Sequence, residues 1–343
     1  MHGLSQRPAA LRIRAYRPGD EASILALHNR AYADHPDRSA AHWKWKHESN
    51  PLRRTDVIVA MDSQNQCCMV HAGVTLPAVL EGEPCFAGLH MDVAVAPHLR
   101  RGLGAARPLV STMRRFVQEY GGGDTRLIWG YPEPALQRLG LRFGMFQVLR
   151  DVTLLVRDMT TALEASQTDA PANIAGLVTR TVLRFDADVD ELWERCRLEV
   201  GTGVVRNASY LNWRFADHPD VAYTLLEVRS SRTNRLEGVA VYREGGWEAD
   251  SLSLVEWLAP RAQLDAERAL LQRVKADAVQ LRRRWLVSWI AGAADLFHRF
   301  QTTHGFFVLH TPYQVTYKSW APIARRRWLQ DNWYQTMGDI DFF

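Results

Sequence analysis

The segment HWKWKHESNP (His42–Pro51) returns as NWRFADHP (Asn212–Pro219). Four further echoes follow in the same order. MDVAVAP (ending at Pro97) returns as LVEWLAP (ending at Pro260), and RPLVSTMRRFVQE as AERALLQRVKADAV. TRLIWGYP returns as RWLVSWIAG, and ALQRLGLRFGMFQV as ADLFHRFQTTHGFFVL. The spacing between the two copies stays nearly constant, and ordered self-similarity of this kind marks a duplicated unit. A chain of 343 residues built this way folds as two similar bodies.

Each half alternates strand and helix signals. LRIRAYR alternates as a strand and stops at Pro18-Gly19. DEASILALHNRAY has helical spacing, with Asp20 as the expected N-cap. DVIVAM is a buried strand, CCMVHAGVTLPAVL one or two more, and GEPCFAGLHMDVAVAP another ending at Pro97. TRLIWGYP is a short strand, PALQRLGLRFG a short helix, and FQVLRDVTLLVRD a closing strand. Strands interleaved with helices predict an α/β protein with a mixed sheet in each half. The small, polar stretch around Pro171 predicts a linker at 159–176, between domains 1–158 and 177–343.

Composition narrows the function. Hydrophobic residues make up 47% of the chain, enough for a core without staples. Its four cysteines (Cys67, Cys68, Cys85, Cys196) form no CxxC pair, so neither a metal site nor a disulfide framework is expected. The N-terminal stretch has no apolar core of a signal peptide, and no apolar run is long enough to span a bilayer; a cytoplasmic protein without a membrane span is expected. The net charge of +4 suits an anionic small molecule. The basic runs RRRW (Arg282–Trp285) and ARRRW (Ala324–Trp328) read as solvated faces, so no nucleic-acid partner is expected.

Between the strand MDVAVAP and the helix LVSTMRRFVQE lies RRGLGAARPL (Arg100–Leu109). Its glycines and alanines serve a tight turn, or they let an anion approach the free N–H groups and positive dipole end of a helix. The Lys-Ser/Thr of a nucleotide-hydrolysing P-loop and the third glycine of a dinucleotide-binding turn are both absent. RGLGAA (Arg101–Ala106) resembles the Arg/Gln-x-x-Gly-x-Gly/Ala motif of the GNAT acetyltransferase superfamily. FGMFQV (Phe143–Val148) resembles its closing Leu-Gly-Phe segment, with Met145 in place of the aromatic. The resemblance covers roughly residues 11–157 and makes the chain two tandem GNAT-like domains.

The resemblance implies acyl-CoA, usually acetyl-CoA, as cosubstrate. Its pyrophosphate would rest on Gly102, Leu103, Gly104, Ala105 and Ala106, with Arg100 and Arg101 alongside. Its pantetheine would run along Val93, Ala94 and Val95, where a backbone N–H polarises the thioester carbonyl. The second half has PRAQLDAERALL at the corresponding turn, where Gln263 and Asp265 replace small residues. That copy is expected to have lost CoA binding.

Acyl transfer to an amine needs a general base, because freeing an alkylamine of its proton at neutral pH costs about 4–5 kcal/mol. Glu133 is a base or a helix-start carboxylate. Tyr131 is an acid or a pocket wall, and Asp92 orients the acceptor or faces solvent. The tyrosine usual in the helix ALQRLGLRF of the family is missing. His90 and His98 read as structural or surface groups, and Cys85 lacks the partners of a covalent mechanism. Of Trp43 and Trp45, one is expected in the core and the other beside the acceptor. Asp339 and Asp341 draw a cationic acceptor or lie in a tail that docks, the second being expected. The expected activity is N-acetyl transfer from acetyl-CoA to a small primary amine such as an amino sugar. The alternative is a CoA-binding regulatory or scaffold protein without turnover.

Overall fold

The computed structural model describes residues 11–100, 106–164, 174, 176–321 and 325–340. The first half holds β1 (Arg12–Ala15), α1 (Glu21–Ala31), α2 (Ala40–Trp43), β2 (Asp56–Met61), β3 (Cys67–Leu80) and β4 (Glu83–Val95). It continues with α3 (Ala106–Tyr120), β5 (Thr125–Gly130), α4 (Pro134–Arg142), β6 (Gln147–Asp158) and α5 (Thr160–Glu164). The second half holds β7 (Leu177–Val182), α6 (Asp188–Cys196), β8 (Thr202–Val204), α7 (Ala208–Leu211), β9 (Thr224–Ser230), β10 (Leu236–Glu244) and β11 (Ser251–Leu258). It ends with α8 (Leu264–Gln280), β12 (Trp285–Ser288), β13 (Ile290–Ala291), α9 (Ala294–Thr302), β14 (Phe307–Ser319), α10 (Arg326–Asn332) and β15 (Gln335–Thr336). This is the mixed α/β architecture that the alternating pattern predicts.

Two compact units result, and neither is continuous in sequence. The first holds the described residues of Met1–Leu76, Phe86–Val148 and Thr316–Ala321; the second holds those of Pro77–Cys85, Leu149–Val315 and Pro322–Phe343. The described residues of 159–176 fall inside the second unit.

In the first unit the strand order is β1-β2-β3-β4-β5, followed by the end of β14. β4 and β5 run parallel, whereas β5 and β14 run antiparallel, with Leu127 opposite Ser319 and Gly130 opposite Thr316. β2 is buried along its whole length, and its side chains alternate between two cores. Val57, Val59 and Met61 join Ile24 and Leu27 of α1, Trp43 of α2 and Val70 and Ala72 of β3. Ile58 joins Phe116 of α3 and Ile128 of β5, with Trp320 packed against them. Trp320 lies where a Cβ on Gly121 would sit, so only glycine fits there.

In the second unit the order is the start of β14, then β6-β12-β11-β10-β9-β7. β6 and β12 run antiparallel, with Asp158 opposite Trp285. The strand following α4 in sequence is therefore not the neighbour of β5. β14, from the second half, takes that place, and β6, from the first half, takes the corresponding place beside β12. The duplicated halves have exchanged closing strands.

A rare local feature supports the duplication. A π-helical turn follows α2 at Lys44–Glu48 and α7 at Asn212–Ala216, the positions of the first sequence echo. Ser39 caps α2 by accepting from the His42 N–H, and Asn207 caps α7 by accepting from the Tyr210 N–H.

Two local expectations are corrected. The Asp20 side chain does not cap α1; its carboxylate is taken by Arg14 at 2.6 Å and by the Arg17 N–H at 2.8 Å. Trp43 and Trp45 are both buried.

The exchange has a consequence for fragments. Residues 1–158 alone lack the strand that pairs with β5 and the Trp320 ring that covers Gly121. Circular dichroism and amide NMR dispersion are expected to show that fragment unfolded, while the full chain is folded.

Candidate functional site

In the first unit the pairing of β4 with β5 ends at His90 opposite Gly130. β4 runs on to Val95, whereas β5 stops and the chain turns through Tyr131 and Pro132 to Glu133, the residue before α4. A gap opens between the two strands. The Ala96 N–H donates to Cys68 O on β3. Backbone groups alternate sides along a strand, so those of Val93 and Val95 face the gap. Their carbonyls are engaged by side chains. Tyr32 OH donates to Val93 O at 2.6 Å. Arg100 Nε donates to Val95 O at 3.0 Å, and its Nη2 donates to Ala31 O at 2.8 Å, at the end of α1.

At the start of the gap β4 is kinked. Asp92 has a positive φ, a left-handed conformation that side chains rarely adopt inside a strand. Its side chain is 4% exposed and ion-paired with Arg38. Lys46 Nζ and His47 Nε2, from the π-turn, each lie 3.3 Å from Asp92 Oδ2. Burial alone would raise the Asp92 pKa. Arg38, Lys46 and His47 outweigh it and hold the carboxyl well below the usual carboxylate range. Burial lowers His28 to about 4, only partly opposed by Asp92, and lowers His47 as well. A cavity of about 10 Å³ lies among Asp92, His28, His42, Trp43 and His47. It has room for one water and no more.

Beneath the gap, His90 stacks on His71 with their rings 5.4 Å apart and His71 Nδ1 3.2 Å from His90 Nε2. His90 also packs on Phe116. Burial holds both histidines neutral, His90 at about 4 and His71 well below its ordinary value.

The second unit has the same gap, already filled. β11 and β12 pair in parallel up to Leu254 opposite Ser288, after which β11 continues alone on that side. β13 instead pairs with β15, from the C-terminal segment. Tyr334 OH donates to Trp257 O of β11 at 2.5 Å. The Trp333 carbonyl occupies the place of a Cβ on Gly292, so the segment seats backbone against backbone. Arg214 donates from Nε to Gly338 O at 3.0 Å and from Nη2 to Ile340 O at 2.9 Å. Arg206, fully buried, bridges Glu256 of β11, with Nε 3.3 Å from Oε1, and Asp339 of the tail. Burial pushes the Glu256 pKa up despite this arginine.

No family model and no curated protein matches the chain. Solved structures do resemble it. One is a protein of unknown function from Enterococcus faecalis V583, described as a probable N-acyltransferase: 15% identity over 91% of this chain and 73% of that one, TM-score 0.66. Another is a GCN5-related N-acetyltransferase from Anabaena variabilis: 13% identity over 90% and 73%, TM-score 0.62. A third is Saccharomyces cerevisiae N-myristoyltransferase with bound myristoyl-CoA: 10% identity over 91% and 84%, TM-score 0.57. The fold is that of the GCN5-related N-acetyltransferases.

On this GNAT fold the residues singled out in the sequence are distributed as follows. Val93, Ala94 and Val95 lie on β4 beyond the end of its pairing with β5, and Ala106 opens α3. Arg100 is exposed and turned toward Val95 and Ala31; Arg101, Gly102, Leu103, Gly104 and Ala105 lie outside the described residues. Glu133 is exposed at the end of β5, its carboxylate making no cap to α4. Tyr131 is half-buried two residues before it. The Asp92 side chain is 4% exposed, ion-paired with Arg38, and lines a cavity of about 10 Å³. Asp339 is buried and Asp341 lies outside the described residues. Sequence reasoning missed Tyr32, Arg38, Lys46 and His47; only the basic run in KWKHE pointed toward the last two. Among the described residues no group of three His, Cys, Asp or Glu could hold a metal, and no helix is long and apolar enough to cross a membrane.

Burial at two of these positions has measurable effects. His28 takes up a proton only below about 4 when folded, but near 6.5 when unfolded. Its contribution to stability is full above about pH 6.5 and declines as pH falls toward 4, by about 1.4 kcal/mol per pH unit. Urea titrations of His28→Gln across that range are expected to show a correspondingly shallower loss. Arg206→Ala leaves Glu256 and Asp339 buried without this cation, and denaturant unfolding is expected to show a loss of about 3–5 kcal/mol.

Proposed function

We propose that the chain is an acyl-CoA-dependent N-acyltransferase that moves an acyl group, acetyl in the simplest case, to a primary amine of a small molecule. The gap opened by the parting of β4 and β5 at His90 and Gly130 carries this reading. It offers a strand edge to which the amide-bearing arm of CoA can hydrogen-bond as an added strand. The RGLGAA turn before α3 would receive the pyrophosphate on the backbone N–H groups of Gly102–Ala106, with Arg101 adding charge. Arg100 would exchange Val95 O for the ligand. The similar N-acetyltransferase and the N-myristoyltransferase with bound myristoyl-CoA support the donor class without fixing the acyl length.

At the reacting carbon, the backbone N–H of Val93 would stabilise the oxyanion as the amine attacks the thioester. Glu133, exposed at the mouth of the gap, would take the amine proton directly or through water. Tyr131 would return a proton to the departing CoA thiolate. Asp92 belongs to the site through the strand it shapes. Acyl-CoA binds only the first unit, because β15 holds the corresponding gap of the second. A cytoplasmic location goes with this reading, as all four cysteines are free thiols. A second reading, CoA binding without turnover, draws on the absence of tyrosine from α4.

The test combines binding and turnover. Acetyl-CoA at about 100 times its dissociation constant should stabilise the wild type by about 2.7 kcal/mol. This is expected as a rise in melting temperature that Gly104→Glu abolishes, with calorimetry giving one acetyl-CoA per chain. Thiol release with an amine panel is expected for the wild type. Binding without release on any amine favours the second reading, and no binding overturns both.

A further inference from the structure

The clamp around Asp92 has a use within the acyl-transfer reading, on which this inference rests. We propose that Asp92 is a positioning residue: held by Arg38, Lys46 and His47, its carboxylate fixes the left-handed kink of β4 and so sets the direction in which the Val93 backbone meets the acyl group.

Three observations converge on this. First, a non-glycine residue at positive φ is strained and persists only where its surroundings impose it. Here the imposing contacts come from two places. Arg38 reaches in from the loop between α1 and α2, and Lys46 and His47 reach in from the π-turn. These two consecutive side chains of the π-turn meet on one carboxylate oxygen. Second, the kink stands between His90, the last residue paired with β5, and Val93, the first whose backbone faces the gap. A left-handed residue at that point redirects the strand and resets which groups face outward. Tyr32 then fixes the far side of the kink through Val93 O.

Third, Asp92 has no route to the reacting atoms. Its side chain is 4% exposed, and the cavity of about 10 Å³ that it lines has room for no more than a water. The groups facing it are His28 and Tyr32 from α1 and its end, Arg38 from the loop, Lys46 and His47 from the π-turn, and its strand neighbour His90. With the carboxyl held far below the usual range, it stays ionised throughout the range in which an amine acyltransferase works, and it exchanges no proton there.

Two variants test the proposal. Asp92→Asn is isosteric, keeps an acceptor oxygen and tolerates a left-handed backbone. It is expected to retain kcat within about fivefold, with the pH profile between about 5 and 9 unchanged. Asp92→Ala/Lys46→Met removes the carboxylate together with the buried ammonium whose charge it balances. It is expected to lower kcat by about 10- to 100-fold, the scale of a displaced oxyanion donor, while KM for acetyl-CoA moves by less than about threefold. Amide hydrogen exchange along Met91–Val95 is expected to quicken in the double variant and not in Asp92→Asn, a readout independent of turnover.

If Asp92→Asn loses as much kcat as the double variant and one limb of the pH profile, the carboxylate transfers a proton and the proposal falls. It also falls if the double variant keeps wild-type kcat, or if exchange at the kink is unchanged. Where the double variant does not fold, Arg38→Met, which removes the part-exposed member of the clamp, takes its place with the same readouts: faster exchange at Met91–Val95 with lowered kcat supports the proposal, and unchanged exchange or wild-type kcat overturns it. A wild type with no turnover on any amine overturns the acyl-transfer reading instead, and the exchange experiment then decides the clamp alone.

Discussion

Two parallel strands that stop pairing before both have ended leave a row of backbone donors and acceptors with no partner. Unpaired groups of this kind are costly wherever water is kept away, so something must fill the edge. Both units of this chain contain such an edge, and they fill it differently. In the first, two side chains serve: Tyr32 on Val93 O and Arg100 on Val95 O. Side chains can swing aside for a ligand at the cost of a rotamer change. In the second, a strand of the chain itself lies on β13, fixed through Tyr334, Arg206 and Arg214. The difference between an accessible cleft and a closed one is the difference between two hydrogen-bonding side chains and a seated backbone.

Each unit also places a buried carboxylate on the strand bordering its gap, held by Arg38, Lys46 and His47 in the first and by Arg206 in the second. On β4 it is Asp92, and on β11 it is Glu256. In the first unit the π-turn supplies Lys46 to that carboxylate; in the second the π-turn supplies Arg214 to the carbonyls of the tail. The duplicated scaffold has kept its rare local turn while its cationic side chain changed partners. Buried charges of this type seldom add stability over apolar packing, but they are demanding of geometry. That fits a place where the direction of a strand matters.

Much of the fold was legible in the sequence because its signals are local. The apolar run VIVAM pointed to a buried strand, and the ordered echoes pointed to duplication. The edge of β4 was legible only through the resemblance carried by RGLGAA and FGMFQV. The exchange of β6 and β14 was not. A strand that pairs beside β5 and one that pairs beside β12 need the same alternation and length, so the pattern carries no trace of which edge it joins. The Asp92 clamp was hidden for a related reason. Arg38 and Lys46 stand far ahead in sequence of the carboxylate they hold, and the left-handed kink falls on an aspartate, where no glycine announces it. Asp20 misled by type: an aspartate before a helix is an ordinary cap, and here a nearby arginine claimed it first.

The exchanged strands also set the order of events during synthesis. The first unit is the earlier to leave the ribosome, yet the strand that borders β5 begins its pairing only at Thr316. An N-terminal domain ordinarily folds while the rest is still being made. This one must wait, with β5 exposed along one edge, until Thr316–Ser319 have emerged. The pairing that completes it joins Gly130 to Thr316 across most of the second half, and contacts of such separation form slowly. The nascent chain therefore carries an open sheet edge throughout that interval, and its yield in the cell depends on how well that edge is kept from other chains.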